Sequence, residues 1–324
     1  MADSAPEVSV IITSYNLEDY IDRAISSALN QQGVTLEVII VDDYSTDNTW
    51  SIICQNTDAR VKCHRLKGNS GPGAARNAAI AVATGKWIAI LDGDDIFLPD
   101  HLARCVARSN AAQADIVVDN IMVYNEVDQK QSLMFPEEVL SRMKKIDLAT
   151  FILEKVSGTN YVLGYLKPLF LRSFLNKNLI TYNTNLKIGE DYIFFAEALA
   201  NGAVCVVEPT AGYQYTVRKG SISYRLSLDD IKRILTADKQ FASKYKLDKA
   251  CKNAQKRRRH NFTKEYYFLM QVNALKNRNI KEFLKITWLY PPAAFLLSRL
   301  LRSRLTKIIK VKNNILNVRS MFFE

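Results

Sequence analysis

Little in this chain suits cross-linking or soft-metal chemistry. There are five cysteines in 324 residues: Cys54, Cys63, Cys105, Cys205 and Cys251. The number is odd and no two form a C-x-x-C pair, which argues against a disulfide framework or a zinc site and fits a reducing cytosol. The three histidines, His64, His101 and His260, are scattered, so a histidine metal centre is not expected. No G-x-S-x-G is present, and no cysteine has an obvious histidine partner. Hydrolase-type nucleophilic catalysis therefore has no support. Long apolar runs are missing too. The run from Ile286 to Leu297 is interrupted by Pro291-Pro292 and is too short to span a bilayer. The opening residues MADSAPEVSVII have no basic n-region and no long apolar segment, so no secretory signal is expected.

What is present is an ordinary globular composition with an uneven charge. Hydrophobic residues make up 48% and charged residues 24%, enough for one large domain or two smaller ones. The net charge of +11 is not spread evenly. Residues 1–240 hold 24 Lys+Arg against 29 Asp+Glu, whereas residues 241–324 hold 20 against 4. Such asymmetry points to an anionic partner for the tail.

The first half alternates strands and helices. VSVIITSYN (8–16), LEVIIVDDYS (36–45), VKCHRL (61–66), the run from Trp87 to Leu91, and ADIVVDNIMVY (114–124) read as strands. Between them lie helical patterns at 17–31, from Thr46 or Asp47 as N-cap, at 69–85 and at 98–110. Gly33 is expected to stop the first helix. Further helices are expected near 136–156, 165–178 and 189–202, then a strand, turn and strand over 203–217. From about residue 226 onward the pattern is helical and basic.

The fold class expected is therefore α/β: a doubly wound, mostly parallel sheet with flanking helices, plus a basic helical C-terminal extension. Domain boundaries are expected at 1–225 and 226–324, the first dividing at about 125. In such sheets ligands bind outside the carboxyl ends of the strands. Three strands end in polar groups there: Thr13-Ser14-Tyr15-Asn16, Asp42-Asp43 and Asp92-Asp94-Asp95.

Three carboxylates at the end of a buried strand repel one another. A hard divalent cation, Mg²⁺ or Mn²⁺, would offset the repulsion and prefers oxygen ligands. A solvated DGDD turn is the alternative, since these residues are also good turn formers. The glycine-rich SGPGAARN could approach a phosphate, with Arg76 supplying charge; an arginine on a solvated helix face is the plainer reading. Glu190 and Asp191 stand at a helix start, where acidic residues are favoured by the dipole. Alternatively, one of them is a general base for a hydroxyl.

Taken in order, VSVIITSYN, VDDYSTDNT, GPGAARNAA, LDGDDIFLPD and GEDYIFF resemble the family-2 glycosyltransferases of the GT-A fold, over roughly residues 7–220. The nearest flavour is the bacterial exopolysaccharide, O-antigen and capsule type. Neither the Q-x-x-R-W motif nor the membrane spans of processive synthases are found, so single addition is implied. The resemblance implies that Thr13 and Tyr15 line a nucleotide base pocket and that Asp43 hydrogen-bonds uracil. It implies that Arg76 reaches the nucleotide or its diphosphate. Asp92-Gly93-Asp94 becomes the D-x-D motif, with Asp92 on ribose or sugar, Asp94 on the metal, Asp92 beside it in the metal set, and Asp95 as a helper. Asp191 becomes the catalytic base, with Glu190 contacting acceptor or donor. Arg218, in YTVRKGSIS, matches the family's closing loop only loosely as a phosphate contact.

The implied reaction is inverting transfer of a hexose, glucose or a close relative, from a UDP-sugar with Mn²⁺ or Mg²⁺. The implied acceptor is a growing saccharide linked to polyprenyl diphosphate. The alternatives are a nucleotidyltransferase on a similar sheet and an inactive membrane-surface scaffold. The tail residues Leu296, Leu297, Leu300, Leu301, Leu305, Ile308 and Ile309 alternate at helical spacing with Arg299, Arg302, Arg304, Lys307 and Lys310. That pattern fits an anionic membrane surface, or a face packed on the main domain. No recognised nucleic-acid-binding motif accompanies the charge, so no nucleic acid is expected. Location is expected to be cytoplasmic, peripheral on the inner face of the cell membrane.

Overall fold

Buried β-branched runs form the centre of the molecule. The computed structural model describes residues 5–153, 163–218 and 226–293. These fall into two compact units, one of residues up to 226 with 236–255, the other of 227–235 with residues from 256 onward.

The first unit opens with β1 (Val8–Ser14), α1 (Ile21–Leu29), β2 (Leu36–Asp42), α2 (Thr49–Cys54), β3 (Val61–Arg65), α3 (Pro72–Val82) and β4 (Trp87–Asp92). It continues with β5 (Ile96–Phe97), α4 (His101–Ala112), β6 (Ile116–Asn125), β7 (Lys130–Leu133), α5 (Glu137–Arg142) and α6 (Leu148–Ile152). A single 3-10 turn (Leu163–Tyr165), β8 (Leu169–Leu171), α7 (Arg172–Lys177), α8 (Glu190–Ala200) and β9 (Cys205–Val217) follow. The helices α9 (Leu228–Lys244) and α10 (Lys249–Lys276) are divided between the two units, and α11 (Ile280–Leu289) belongs to the second.

The sheet order is β3-β2-β1-β4-β8-β6-β9-β5, with β7 on β6. The first four strands run parallel, as the largely apolar runs of β1, β2 and β4 imply. Ile11, Ile39, Ile40 and Ile88 are fully buried, each contributing about 1.5–3 kcal/mol. After β3 the chain returns to the other side of β1, which makes β1/β4 the topological switch point. Register sets Thr13 beside Asp92 and Ser14 beside Asp42, so the polar strand ends lie level.

The expected fold class holds: the long central strands pair in parallel, and antiparallel pairs enter where β8 meets β4 and β6. Several local expectations are corrected. Residues 165–178 are a strand followed by a short helix; Pro168 disfavours helical backbone at the residue before it. Residues 203–217 form one strand, not two. Its pairing with β6 slips at Asp119 and Asn120, which accommodates Pro209. Asn48, not Thr46 or Asp47, caps α2, while Asp47 accepts a bond from the Thr49 backbone at 3.0 Å. Asn30 ends α1, ahead of Gly33.

Two buried polar clusters tie layers together. Glu37 accepts from Ser9 Oγ at 2.6 Å, Lys62 Nζ at 2.6 Å and the Thr84 backbone at 2.7 Å. Burial raises its pKa, but these donors overcome it and hold the carboxyl at about 2. His101 Nδ1 lies 2.7 Å from Asp119 Oδ2 and 3.8 Å from Cys105 Sγ, so a cysteine does stand beside a histidine. The group is fully buried, and burial with Asp119 nearby pushes the Cys105 thiol well up, away from reactivity.

In the second unit, Ile280, Leu284 and Trp288 are exposed at four-residue spacing along α11. Lys281 and Lys285, one position further on, are exposed as well. The apolar-basic pattern expected over residues 296–310 lies outside the described residues. Among those described, no helix is long and apolar enough to cross a membrane.

Two outcomes follow for stability. A Cβ on Gly85 would lie 2.5 Å from the Ser9 backbone nitrogen and 2.8 Å from the Val8 carbonyl carbon. Gly85→Ala is expected to cost about 2 kcal/mol in urea unfolding. Glu37 titrates lower folded than unfolded, so its contribution is present above its ordinary pKa of 4.5 and is lost as pH falls toward 2. Wild-type stability should drop by up to about 3 kcal/mol over that window through this group, and Glu37→Gln should flatten the drop.

Candidate active site

Gly93 sets the geometry of the acidic turn. Its nitrogen donates to the Thr13 carbonyl at 3.2 Å, and a Cβ there would lie 2.9 Å from that oxygen and 2.8 Å from Leu17 Cδ1. Only glycine allows this approach of the turn after β4 to the end of β1. The three aspartates then diverge. Asp95 points inward, 1% exposed, accepting from Tyr213 Oη at 2.6 Å and the Thr216 backbone at 2.7 Å. Burial, then the Asp94 and Asp92 charges, push its pKa well above the usual range. Both oxygens are used within the protein, so Asp95 anchors the turn to β9.

Asp92 and Asp94 stay at the cleft, each with cations. Arg76, from the buried face of α3, places Nη2 2.7 Å from Asp92 Oδ1, and Nη1 2.7 Å from Glu190 Oε1 and 3.0 Å from Asp191 Oδ1. Lys167, between the 3-10 turn and β8, places Nζ 2.6 Å from Asp92 Oδ2 and 3.4 Å from Asp191 Oδ2. Arg218, just past β9, places Nε 2.8 Å from Asp94 Oδ2 and stacks 4.8 Å from the Tyr20 ring. Arg23 donates to the Asp94 carbonyl at 2.8 Å. The plain surface-arginine reading of Arg76 is excluded: its side chain is 4% exposed.

Glu190 and Asp191 begin α8 because Gly189, at φ 84°, turns left-handed immediately before them. Inside the helix start, Tyr182 stacks on Phe194 with centroids 4.0 Å apart, and the Arg76 guanidinium lies 5.3 Å from the Tyr182 ring.

The charges are strongly coupled. Burial opposes ionisation of Asp92, but Lys167 and Arg76 hold its pKa well below the carboxylate range. Burial likewise opposes the Lys167 charge, and Asp92 and Asp191 overcome it, raising its pKa. Burial and then the Asp191 charge push Glu190 up to about 7, against Arg76.

The nucleotide-side residues cluster at the ends of β1 and β2. Asp43 accepts from the backbone nitrogens of Ser70 at 2.7 Å and Gly71 at 2.8 Å, which fixes the glycine-rich loop against β2. Its pKa is raised by burial against those bonds. Thr13 is half-buried, and Tyr15 is exposed beside it. Tyr44, at φ 67° and also exposed, stacks near Arg65, whose guanidinium lies 5.1 Å from the ring. Sequence reasoning missed Lys167, Tyr44, Tyr182 and the Arg23–Tyr20 pair. Tyr44 stands within VDDYSTDNT, but no local motif marks the others.

Asp94 fits a hard divalent ion: a carboxylate at the cleft, 21% exposed, whose Oδ1 makes no hydrogen bond or ion pair among the described residues. Asp92, beside it, has one oxygen on Arg76 and the other on Lys167.

The acidic cleft thus lies at the switch point of a mixed sheet flanked by helices. The family model for glycosyl transferase family 2 matches residues 9–162. The succinoglycan biosynthesis protein ExoO of Rhizobium meliloti (strain 1021) is 43% identical over 94% of this chain and 88% of its own. The chain thus belongs to glycosyl transferase family 2. Escherichia coli WfaP, a UDP-Glc:alpha-D-GlcNAc-diphosphoundecaprenol beta-1,3-glucosyltransferase, is 30% identical over 55% of this chain and 74% of its own. Among solved structures, S. aureus TarS 1-349 in complex with UDP-GlcNAc superimposes with a TM-score of 0.63, covering 88% of this chain and 91% of that one at 20% identity. The Pyrobaculum calidifontis mannosyltransferase PcManGT, in complex with GDP-Man and Mn²⁺, gives 0.58 over 93% and 81% at 19% identity.

Arg76 serves three carboxylates from a buried position, so its loss should be severe. Arg76→Met is expected to destabilise by about 3–5 kcal/mol in denaturant titration. Arg76→Lys should recover less than half, because an ammonium cannot reproduce the forked contacts.

Proposed function

We propose that this protein transfers a hexose, glucose or a close relative, from a UDP-sugar to a growing bacterial surface polysaccharide, with inversion. The observation that carries the reading is the meeting of Asp191 with the Asp92-Gly93-Asp94 turn through Arg76 and Lys167. It puts one carboxylate suited to be a base next to the acidic turn at the switch point. The names of ExoO and WfaP support polysaccharide assembly and a UDP-glucose donor.

In this reading, Thr13, Tyr15 and Asp43 hold the uridine, with Asp43 using lone pairs left over from the glycine-rich loop. Asp92 contacts ribose or sugar, and Arg76 lies beneath the diphosphate. Asp94, with Asp92 beside it, would hold Mn²⁺ or Mg²⁺, and the ion would supply Lewis-acid stabilisation of the leaving diphosphate. Asp191 accepts the proton of the acceptor hydroxyl as its oxygen bonds to the anomeric carbon. The bond from that carbon to the diphosphate oxygen breaks, and its electron pair leaves with UDP. Glu190 orients the acceptor or the sugar. Holding the two reactants in line contributes much of the remaining acceleration.

The acceptor in this reading is a polyprenyl-diphosphate-linked saccharide at the cytoplasmic face of the membrane. The excess of basic residues beyond 240 and the exposed Ile280, Leu284 and Trp288 support an anionic membrane surface as partner. Catalysis is assigned to residues 1–225 and surface association to 226–324.

UDP release should be measured with a panel of UDP-sugars and lipid-linked acceptors, with Mn²⁺, Mg²⁺ or EDTA, and the product anomer read by NMR. Inversion from one UDP-sugar is the expected result; release of inorganic diphosphate would instead mark a nucleotidyltransferase. Asp191→Asn should lower kcat by at least about a thousandfold while retaining donor binding. Asp94→Asn should remove the Mn²⁺ dependence of donor affinity in calorimetry.

A further inference from the structure

Asp92 and Asp191 are joined twice over. Each gives one oxygen to Arg76, at 2.7 and 3.0 Å, and the other to Lys167, at 2.6 and 3.4 Å. Four alternating charges form a closed ring. Both oxygens of Asp191 are therefore engaged by cations, and an acceptor hydroxyl has to compete with them.

The two cations are not equivalent. Arg76 is 4% exposed, holds Glu190 as a third carboxylate and lies against Tyr182. Lys167 is 14% exposed and is a point charge on a flexible stem, in a connection between elements. Its contact with Asp191 is the longest of the four. An ammonium carries three donors, and Lys167 hydrogen-bonds two acceptors, Asp92 and Asp191, among the described residues.

We propose that Lys167 binds the donor diphosphate and, in doing so, releases Asp191. It exchanges Asp191 Oδ2 for a phosphate oxygen while keeping Asp92. This rests on the reading of the cleft as a nucleoside-diphosphate-sugar site. Charge balance drives the exchange. The cleft is framed by Asp92, Asp94, Glu190 and Asp191, so a diphosphate entering it needs cations that can turn toward it. Arg76 is held by three carboxylates, whereas Lys167 is held by two, one of them at 3.4 Å. Phosphate replaces carboxylate on the same ammonium, so little charge pairing is lost. Asp191 then keeps Arg76 on Oδ1, which orients it, and offers Oδ2 to the acceptor hydroxyl. The base becomes available when the diphosphate is present.

The test is titration of the full chain with UDP by calorimetry and with uridine by NMR, both with Mn²⁺. Lys167→Met is expected to lose at least about tenfold in UDP affinity and none in uridine affinity. Lys167→Arg should recover part of the loss. Asp191→Asn should bind UDP several-fold more tightly than wild type, because Lys167 no longer has a competing carboxylate. That gain should vanish in Lys167→Met/Asp191→Asn, which also removes the unpaired charge that Lys167→Met alone leaves behind.

If Lys167→Met changes UDP and uridine affinity equally, or neither, Lys167 merely braces Asp191 and the exchange is wrong. A gain in Asp191→Asn that persists without Lys167 overturns it as well. Wild-type protein that binds neither UDP nor GDP, ADP or inorganic diphosphate defeats the donor-site reading itself. Nucleotide binding that ignores Lys167 defeats the exchange alone.

Discussion

A guanidinium sunk below the surface of a sheet edge must be neutralised on the spot, and Arg76 is neutralised by three carboxylates from two distant parts of the chain. Asp92 comes from the end of β4, and Glu190 and Asp191 from the first turn of α8. The glycine-rich loop, the acidic turn and the start of α8 are therefore held to one centre. Moving any of them away would strand a buried charge. The elements of the cleft are held together by charges that are satisfied internally.

The sheet supplies the frame for that centre. Parallel pairing of β2, β1 and β4 brings three strand ends level, and the return of the chain across β1 opens the crevice above them. Beyond β4 the strand direction reverses at β8. That reversal carries Lys167, which precedes β8, to the mouth of the crevice from the opposite side. A purely parallel sheet would have no strand start there to deliver it.

Much of this was legible in the chain. Strands β1, β2 and β4 are continuous apolar runs with abrupt polar ends, and such runs read the same in any context. Asp92 and Asp94 were visible because they crowd three carboxylates into four residues. Glu190 and Asp191 were visible because Gly189 precedes them at a helix start. Lys167 was not, since its meaning lies in partners 75 and 24 residues away and nothing beside it hints at them. Asp95 looked identical to its neighbours; its inward turn depends on Tyr213 and Thr216, far along the chain. Pro209 suggested a turn because proline usually breaks a strand, yet a slipped register absorbed it within β9.

Strand β9 carries Thr216, whose backbone holds Asp95, and two residues later the chain presents Arg218 to Asp94. In extended backbone, side chains two apart share a side and those one apart do not. The charge on Asp94 is thus governed by parity. Gaining or losing a single residue between Thr216 and Arg218 would turn the guanidinium away from the cleft while Asp95 stayed anchored. What matters at that point is the number of residues rather than which residue stands at 217.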